Sequence, residues 1–147
     1  VAKGDIIIDN GYPKVLEMAA RTSGGRFASD MVPLSNGVNI LKPLIQMSLG
    51  EKIDMDLLIP KFNKAAVQRF FFPPVGKLTS INGIQKSMKI PGVYDIFINS
   101  NIKINDQIKP VTNHAERIGY VITCEDTIEK AISIAENVIN EVRFEIS

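Results

Sequence analysis

Residues 5–21 alternate in a way that few folds accommodate. Ile6, Ile7 and Ile8 lead into Asp9-Asn10-Gly11, and beyond the glycine Leu16, Met18 and Ala20 alternate with Val15, Glu17, Ala19 and Arg21. An Asn-Gly pair between two such runs is a strong hairpin signal, predicting strands over 5–9 and 14–21. Residues two apart on a strand share a side. The second strand therefore has one apolar face, through Leu16, Met18 and Ala20, and one that presents Glu17 and Arg21 beside Val15 and Ala19. A three-residue loop at 10–12, with Gly11 at positive φ, sets Asp9 against Pro13, Ile7 against Val15 and Asp5 against Glu17. A two-residue loop slips the pairing by one and takes Asp5 off the face of Glu17. Opposed carboxylates repel unless a cation lies between them. Magnesium, which takes one or two carboxylates together with substrate phosphates, suits such a pair. The plainer reading makes Asp5 and Glu17 two solvated positions on an exposed sheet face.

The remaining pattern is mixed. Residues 22–36 read as irregular, broken by Gly24-Gly25 and Pro33, and 37–49 as a helix with Gly50 as its C-terminal cap. A short helix broken near Pro60 is expected within 55–63. Strands are expected over 65–72, 77–81, 92–99 and 117–124, with a short helix at 82–87 and a turn at Pro73-Pro74-Val75-Gly76. Asp126-Thr127-Ile128-Glu129 resembles a capping box. It opens a helix to about residue 142 whose apolar positions Ile128, Ala131, Ile132, Ala135, Val138, Ile139 and Val142 share one face. Strands returning by hairpins and interleaved with helices define an α+β chain with antiparallel sheets and packed helices. A soft boundary near residue 55 divides it into 1–54 and 55–147, the second with enough apolar residues for its own core.

Composition narrows the function classes. The 17 basic and 16 acidic residues nearly cancel, which argues against nucleic acid and an anionic membrane as partners. The single cysteine, Cys124, excludes a disulfide framework and fits a cytoplasmic protein. No apolar run approaches the roughly 20 residues that span a bilayer. The chain begins at Val1 and enters a strand almost at once, so its true N-terminus is expected upstream.

Residues 5–21 resemble the metal-binding hairpin of ATP-grasp ligases, in which an acid begins the first strand and a glutamate lies near the end of the second, within a Glu-x-Asn-x-Arg-like motif. The separation of Asp5 and Glu17 is similar to that of biotin carboxylase-like members. Glu17-Met18-Ala19-Ala20-Arg21 followed by Gly24-Gly25 looks more like the amino-acid ligase branch. Further similarity covers most of the chain: Asn36-Gly37-Val38-Asn39-Ile40 through Leu49-Gly50, Phe72-Pro73-Pro74-Val75-Gly76, and Glu116-Arg117-Ile118-Gly119-Tyr120 with Asp126-Thr127-Ile128. The resemblance implies the C-terminal part of an ATP-grasp fold. In that family ATP converts a carboxylate to an acyl phosphate and a nucleophile, usually an amine, displaces phosphate; carbamoyl-phosphate synthase large subunits also carry such units.

By resemblance, Asp5 and Glu17 are metal ligands for Mg2+ (or Mn2+) bridging ATP phosphates. Arg21 is catalytic, facing the transferring phosphate or substrate carboxylate, and Glu17, Arg21, Gly24 and Gly25 contact the nucleotide. The motif's usual Asn is Ala19, and the biotin carboxylase signature after the arginine is missing. The lysines, Gly-rich loop and adenine-binding residues of the family are not in this chain. They are expected in an N-terminal ATP-grasp portion in the same or another polypeptide, leaving the isolated chain inactive. The expected partners are then a small carboxylate and an amine, with homodimerisation common in the family. The alternative is a non-catalytic, degenerate C-lobe kept for dimerisation or ligand binding, which Ala19 favours. His114, alone in its loop, reads as a structural hydrogen-bonding residue, Cys124 as a small buried hydrophobe, and Phe70, Phe71 and Phe72 as packing. Arg69 reads equally as a substrate contact or an edge ion pair.

Overall fold

Asn10 and Gly11 both adopt positive φ, 51° and 81°, as the two central residues of a type I′ turn require. Strand β1 (Lys3–Asp9) thus pairs with β2 (Tyr12–Ala19) across a two-residue loop, with Asp9 opposite Tyr12 and Ile6 opposite Val15. This corrects the expected three-residue loop, in which Asp9 faces Pro13. Between Ile6 and Asp5 the register shifts by one, leaving Leu16 as the extra residue of a β-bulge on β2.

The computed structural model describes residues 1–147 and consists of two compact units, Val1–Asn63 and Lys64–Ser147. The division falls downstream of the soft boundary near residue 55. In the first unit the hairpin is followed by a π-helical turn, Phe27–Met31, that runs into α1 (Val32–Asn36), where an irregular segment was expected. Pro33 sits in the first turn of α1, where its missing N–H costs nothing, and so starts this helix instead of breaking it. Gly37, at φ 79°, terminates α1, so α2 (Leu41–Ser48) begins later than the expected 37–49. A 3-10 turn, Met55–Leu58, is capped by the Asp54 side chain, which accepts from the Asp56 N–H at 3.1 Å.

The second unit holds two antiparallel sheets. One has the order β3 (Ala65–Phe70), β7 (Gly119–Glu125), β5 (Val93–Ile98). The other has the order β6 (Gln107–Ile108), β4 (Gly76–Asn82), β8 (Arg143–Ile146). Helix α3 (Ile84–Ser87) follows β4, and α4 (Ile128–Glu141) packs on β3 and β7. Ala131, Ala135 and Val138 of α4 are fully buried and meet Val67, Phe71, Ile96 and Val121 of the sheet side. Alanines at the contact let the helix come close enough for the buried Thr123 Oγ1 to donate to the Ala131 carbonyl at 2.7 Å. Leu78, Ile108 and Ile118 form a second buried cluster. The architecture is α+β with antiparallel sheets.

Candidate functional site

The bulge decides what the hairpin displays. A two-residue loop carried regularly along the strands would set Asp5 opposite Leu16. The extra residue restores the lost step, and Asp5 stands opposite Glu17. Lys3, Asp5, Ile7 and Asp9 alternate onto one face, opposite Ala19, Glu17, Lys14 and Tyr12 in turn. Gly4, Ile6 and Ile8 take the other, opposite Met18, Val15 and Pro13. Val15 therefore lies on the face away from Glu17, not beside it as a regular strand would have it. Ile6, Ile8, Val15, Leu16 and Met18 are all exposed, which gives the hairpin one apolar and one charged face.

On the charged face, the Lys3 ammonium donates to Asp5 Oδ2 and the Lys14 ammonium to Asp9 Oδ2. Glu17 is exposed and faces Asp5 with no ion pair of its own. Arg21 lies just past β2, where its guanidinium donates to the Thr22 carbonyl at 3.0 Å; it is not brought into an ion pair with either acid. Gly24 and Gly25 form the turn that follows. The Gly24 carbonyl accepts from the Phe27 N–H at 3.2 Å, Gly25 has φ 62°, and space beside Gly24 is open. Next comes an ion pair that sequence reasoning missed. Arg26, itself at φ 70°, clamps Asp30 through Nε and Nη2 at 2.6 and 2.9 Å. Its signal was the i, i+4 spacing of opposite charges, hidden by reading 22–36 as irregular. Lys3 was missed because the first strand was started at Asp5, although the i, i+2 spacing puts both on one face.

No group of three or more His, Cys, Asp or Glu side chains is gathered anywhere in a way that could hold a metal ion. Asp5 and Glu17 thus make no self-contained cage. They fit a hard divalent cation that completes its shell with water and phosphate oxygens, as magnesium commonly does.

In the second unit His114 opens an exposed 3-10 turn, His114–Glu116. The Glu116 carboxylate accepts from the Thr112 N–H and hydroxyl at 2.7 and 2.9 Å, and these bonds hold it below the usual carboxylate range. Cys124 is half-buried, less enclosed than the expected buried hydrophobe, and desolvation pushes its thiol up. Arg69 is exposed and makes no ion pair; it lines an open groove of about 560 Å3 with Gln68, Phe72, Glu136 and Asn140. Phe70 is covered by the Arg117 guanidinium, 3.8 Å from its ring centroid, and meets Tyr120 edge-on. No helix is long and apolar enough to cross a membrane.

Three solved ligases and synthetases share this fold. The chain superposes on phosphoribosylglycinamide synthetase from Anaerococcus prevotii with a TM-score of 0.83 at 22% identity, over 99% of this chain and 37% of that one. It superposes on the L-amino acid ligase of Bacillus licheniformis with a TM-score of 0.78 at 18% identity, over 99% and 36%. For N5-carboxyaminoimidazole ribonucleotide synthetase from Thermotoga maritima the TM-score is 0.62 at 11% identity, over 99% and 37%. Residues 69–147 match the family model of L-amino acid ligase C-terminal domain 2, and the chain belongs to that family. It is also 24% identical over 135 residues to the uncharacterized protein y4rH of Sinorhizobium fredii, covering 92% of this chain and 27% of that protein. The chain thus spans about a quarter to somewhat over a third of the length of these relatives.

Proposed function

We propose that the chain supplies the metal-binding hairpin of an ATP-dependent carboxylate–amine ligase that works through an acyl phosphate. The observation that carries this reading is the opposition of Asp5 and Glu17, restored by a bulge against the register that the turn alone dictates. Bulges re-aim side chains beside active sites, and a strand that merely needed solvated residues would gain nothing by opposing two acids. These carboxylates would hold Mg2+ against the phosphates of ATP. When bound, the ion neutralises charge that develops on the transferring phosphoryl group.

Arg21 carries a planar fork suited to the transferring phosphate or the substrate carboxylate. It stands next to the Gly24-Gly25 turn, where a backbone without side chains admits close approach. The family and the solved relative of Bacillus licheniformis point to L-amino acids as the carboxylate and amine substrates. Adenine and the remaining phosphate contacts would come from an N-terminal ATP-grasp portion, in the same polypeptide or another. A cytoplasmic setting and a homodimeric assembly fit the same reading.

The test is acyl-phosphate capture. The full-length protein, given MgATP and mixtures of L-amino acids, should form a hydroxamate when hydroxylamine replaces the amine. Glu17→Gln should lower that rate at least about a hundredfold, the scale set by losing a group that stabilises transition-state charge. A protein that folds normally and yields no hydroxamate with any amino acid would instead be a non-catalytic module, and an unchanged rate in Glu17→Gln would remove the Asp5–Glu17 pair from the reaction.

A further inference from the structure

Lys3 is the charged residue beside the Asp5–Glu17 pair that has no role so far. Its ammonium donates to Asp5 Oδ2, and its strand partner, directly opposite, is Ala19. The Lys3 side chain is only 20% exposed, unusual for a lysine on a two-stranded hairpin. The methyl of Ala19 opposite it leaves room for the lysine stem and offers no oxygen to a metal ion. Asp5 Oδ1 has no protein partner, and neither has the Glu17 carboxylate across the ladder. Lys3 thus precedes Asp5 along β1, and Glu17 stands across the ladder from Asp5.

We infer that Lys3 is the second cation of this site, so that nucleotide binds with one divalent ion and one ammonium. The inference rests on the proposed ligase reading and goes beyond it by assigning a positioning residue and a metal count. Phosphoryl transfer spreads negative charge over the phosphate oxygens, and sites answer it with metal ions and with lysine or arginine. Two opposed carboxylates hold one ion between them. A further ion needs additional oxygen ligands, and none is gathered beside the pair: the position opposite Lys3 is an alanine, and no third acid joins Asp5 and Glu17 in a group that could hold a metal ion. The ammonium, already paired with Asp5 Oδ2, supplies positive charge where further metal ligands are missing. It also relieves the repulsion between Asp5 and Glu17 before the ion arrives.

The experiment counts ions. The full-length protein is titrated with Mn2+ in the presence of the non-hydrolysable nucleotide AMPPNP, and bound Mn2+ is measured by electron paramagnetic resonance. The expected result is one Mn2+ per nucleotide. Lys3→Met should weaken AMPPNP binding about tenfold, the equivalent of 1.4 kcal/mol, and Lys3→Arg should restore most of it. Two Mn2+ per nucleotide in the unaltered protein would overturn the assignment of Lys3 while leaving the ligase reading standing. So would unchanged AMPPNP affinity in Lys3→Met. No Mn2+ bound with nucleotide would sink both. Should Lys3→Met fail to fold, judged by circular dichroism, the ion count of the unaltered protein decides alone.

Discussion

Single residues set the tolerances of both units. Gly83 has φ 88°, and a Cβ there would lie 2.3 Å from the Glu141 carbonyl oxygen, so only glycine allows the end of α4 to close over the start of α3. The same neighbourhood holds an ion pair between Lys86 Nζ and Glu141 Oε2 at 2.6 Å, joining residues far apart in sequence. The Lys86 hydrogen bond and charge hold the Glu141 carboxyl below its ordinary value. A carboxyl depressed in the folded state contributes stability that is present above its unfolded pKa. That contribution is lost as pH falls through the folded one. Lys86→Met should therefore move the Glu141 titration, followed by carboxyl NMR, upward to the ordinary range. The stability difference between variant and parent, small for an exposed pair, should shrink as the solution is acidified through the carboxylate range. A Glu141 titration unmoved by the substitution would show that the pair does not form in solution. Such long-range partners are invisible in a linear reading, whereas Asp5 and Glu17 lie on the two arms of one local hairpin, where a turn signal brings them within reach of a sequence argument.

At the scale of elements, α4 and the hairpin show why some local structure is readable and some is not. Period and cap agreed for α4, whose buried face is the apolar stripe that the sequence displays. The cap itself differs in detail. Thr127 is the N-cap and its hydroxyl accepts from the Lys130 N–H at 3.3 Å, so the third helical position is a lysine and no capping box closes. One orphan donor is satisfied instead of two, and the cap then depends on that hydroxyl alone. Thr127→Ala should cost about 1 kcal/mol and Thr127→Ser almost nothing, read from urea denaturation followed by helical circular dichroism. Equal losses in both would move the effect from the hydroxyl to the methyl. Strand β8 escaped notice because it leaves α4 through Val142 alone, without the glycine or proline that usually marks such a change. In the hairpin, Asn10-Gly11 correctly announced a turn, but the bulge at Leu16 carries no compositional mark. The pairing of Asp5 with Glu17 thus followed from two departures, a shorter loop and an added residue, that cancel.

For the molecule as a whole, the α+β class was legible because periodicity survives in single segments. Where the chain divides was less so, since that depends on which apolar residues meet. Burial is distributed very unequally. In Val1–Asn63 the buried side chains are Ala28, Asp30, Met31 and Pro43, while Ile6, Ile8, Leu16, Met18, Ile45, Met47 and Leu49 are all more than half exposed. In Lys64–Ser147, Phe71, Leu78, Val121, Ile122 and Val138 are at most 2% exposed, and both buried clusters lie there. Since a fully buried aliphatic or aromatic side chain contributes about 1.5–3 kcal/mol and fixing each residue's backbone costs about 1–2 kcal/mol, only a well-filled core offsets the ordering. Residues 64–147 expressed alone should therefore unfold cooperatively in urea with dispersed amide NMR signals. Residues 1–63 alone should show no cooperative transition and should bind a hydrophobic dye through the apolar face of the hairpin, whose exposed area is of the kind that marks interaction surfaces. A sharp, dye-free transition in 1–63 would mean that the hairpin and its helices are self-sufficient. A featureless 64–147 would mean that the two sheets need covering from outside the unit. The expected pair of results makes the hairpin a surface that becomes ordered by what packs against it. Its charged face would then reach full geometry only in company with the chain that covers its apolar one.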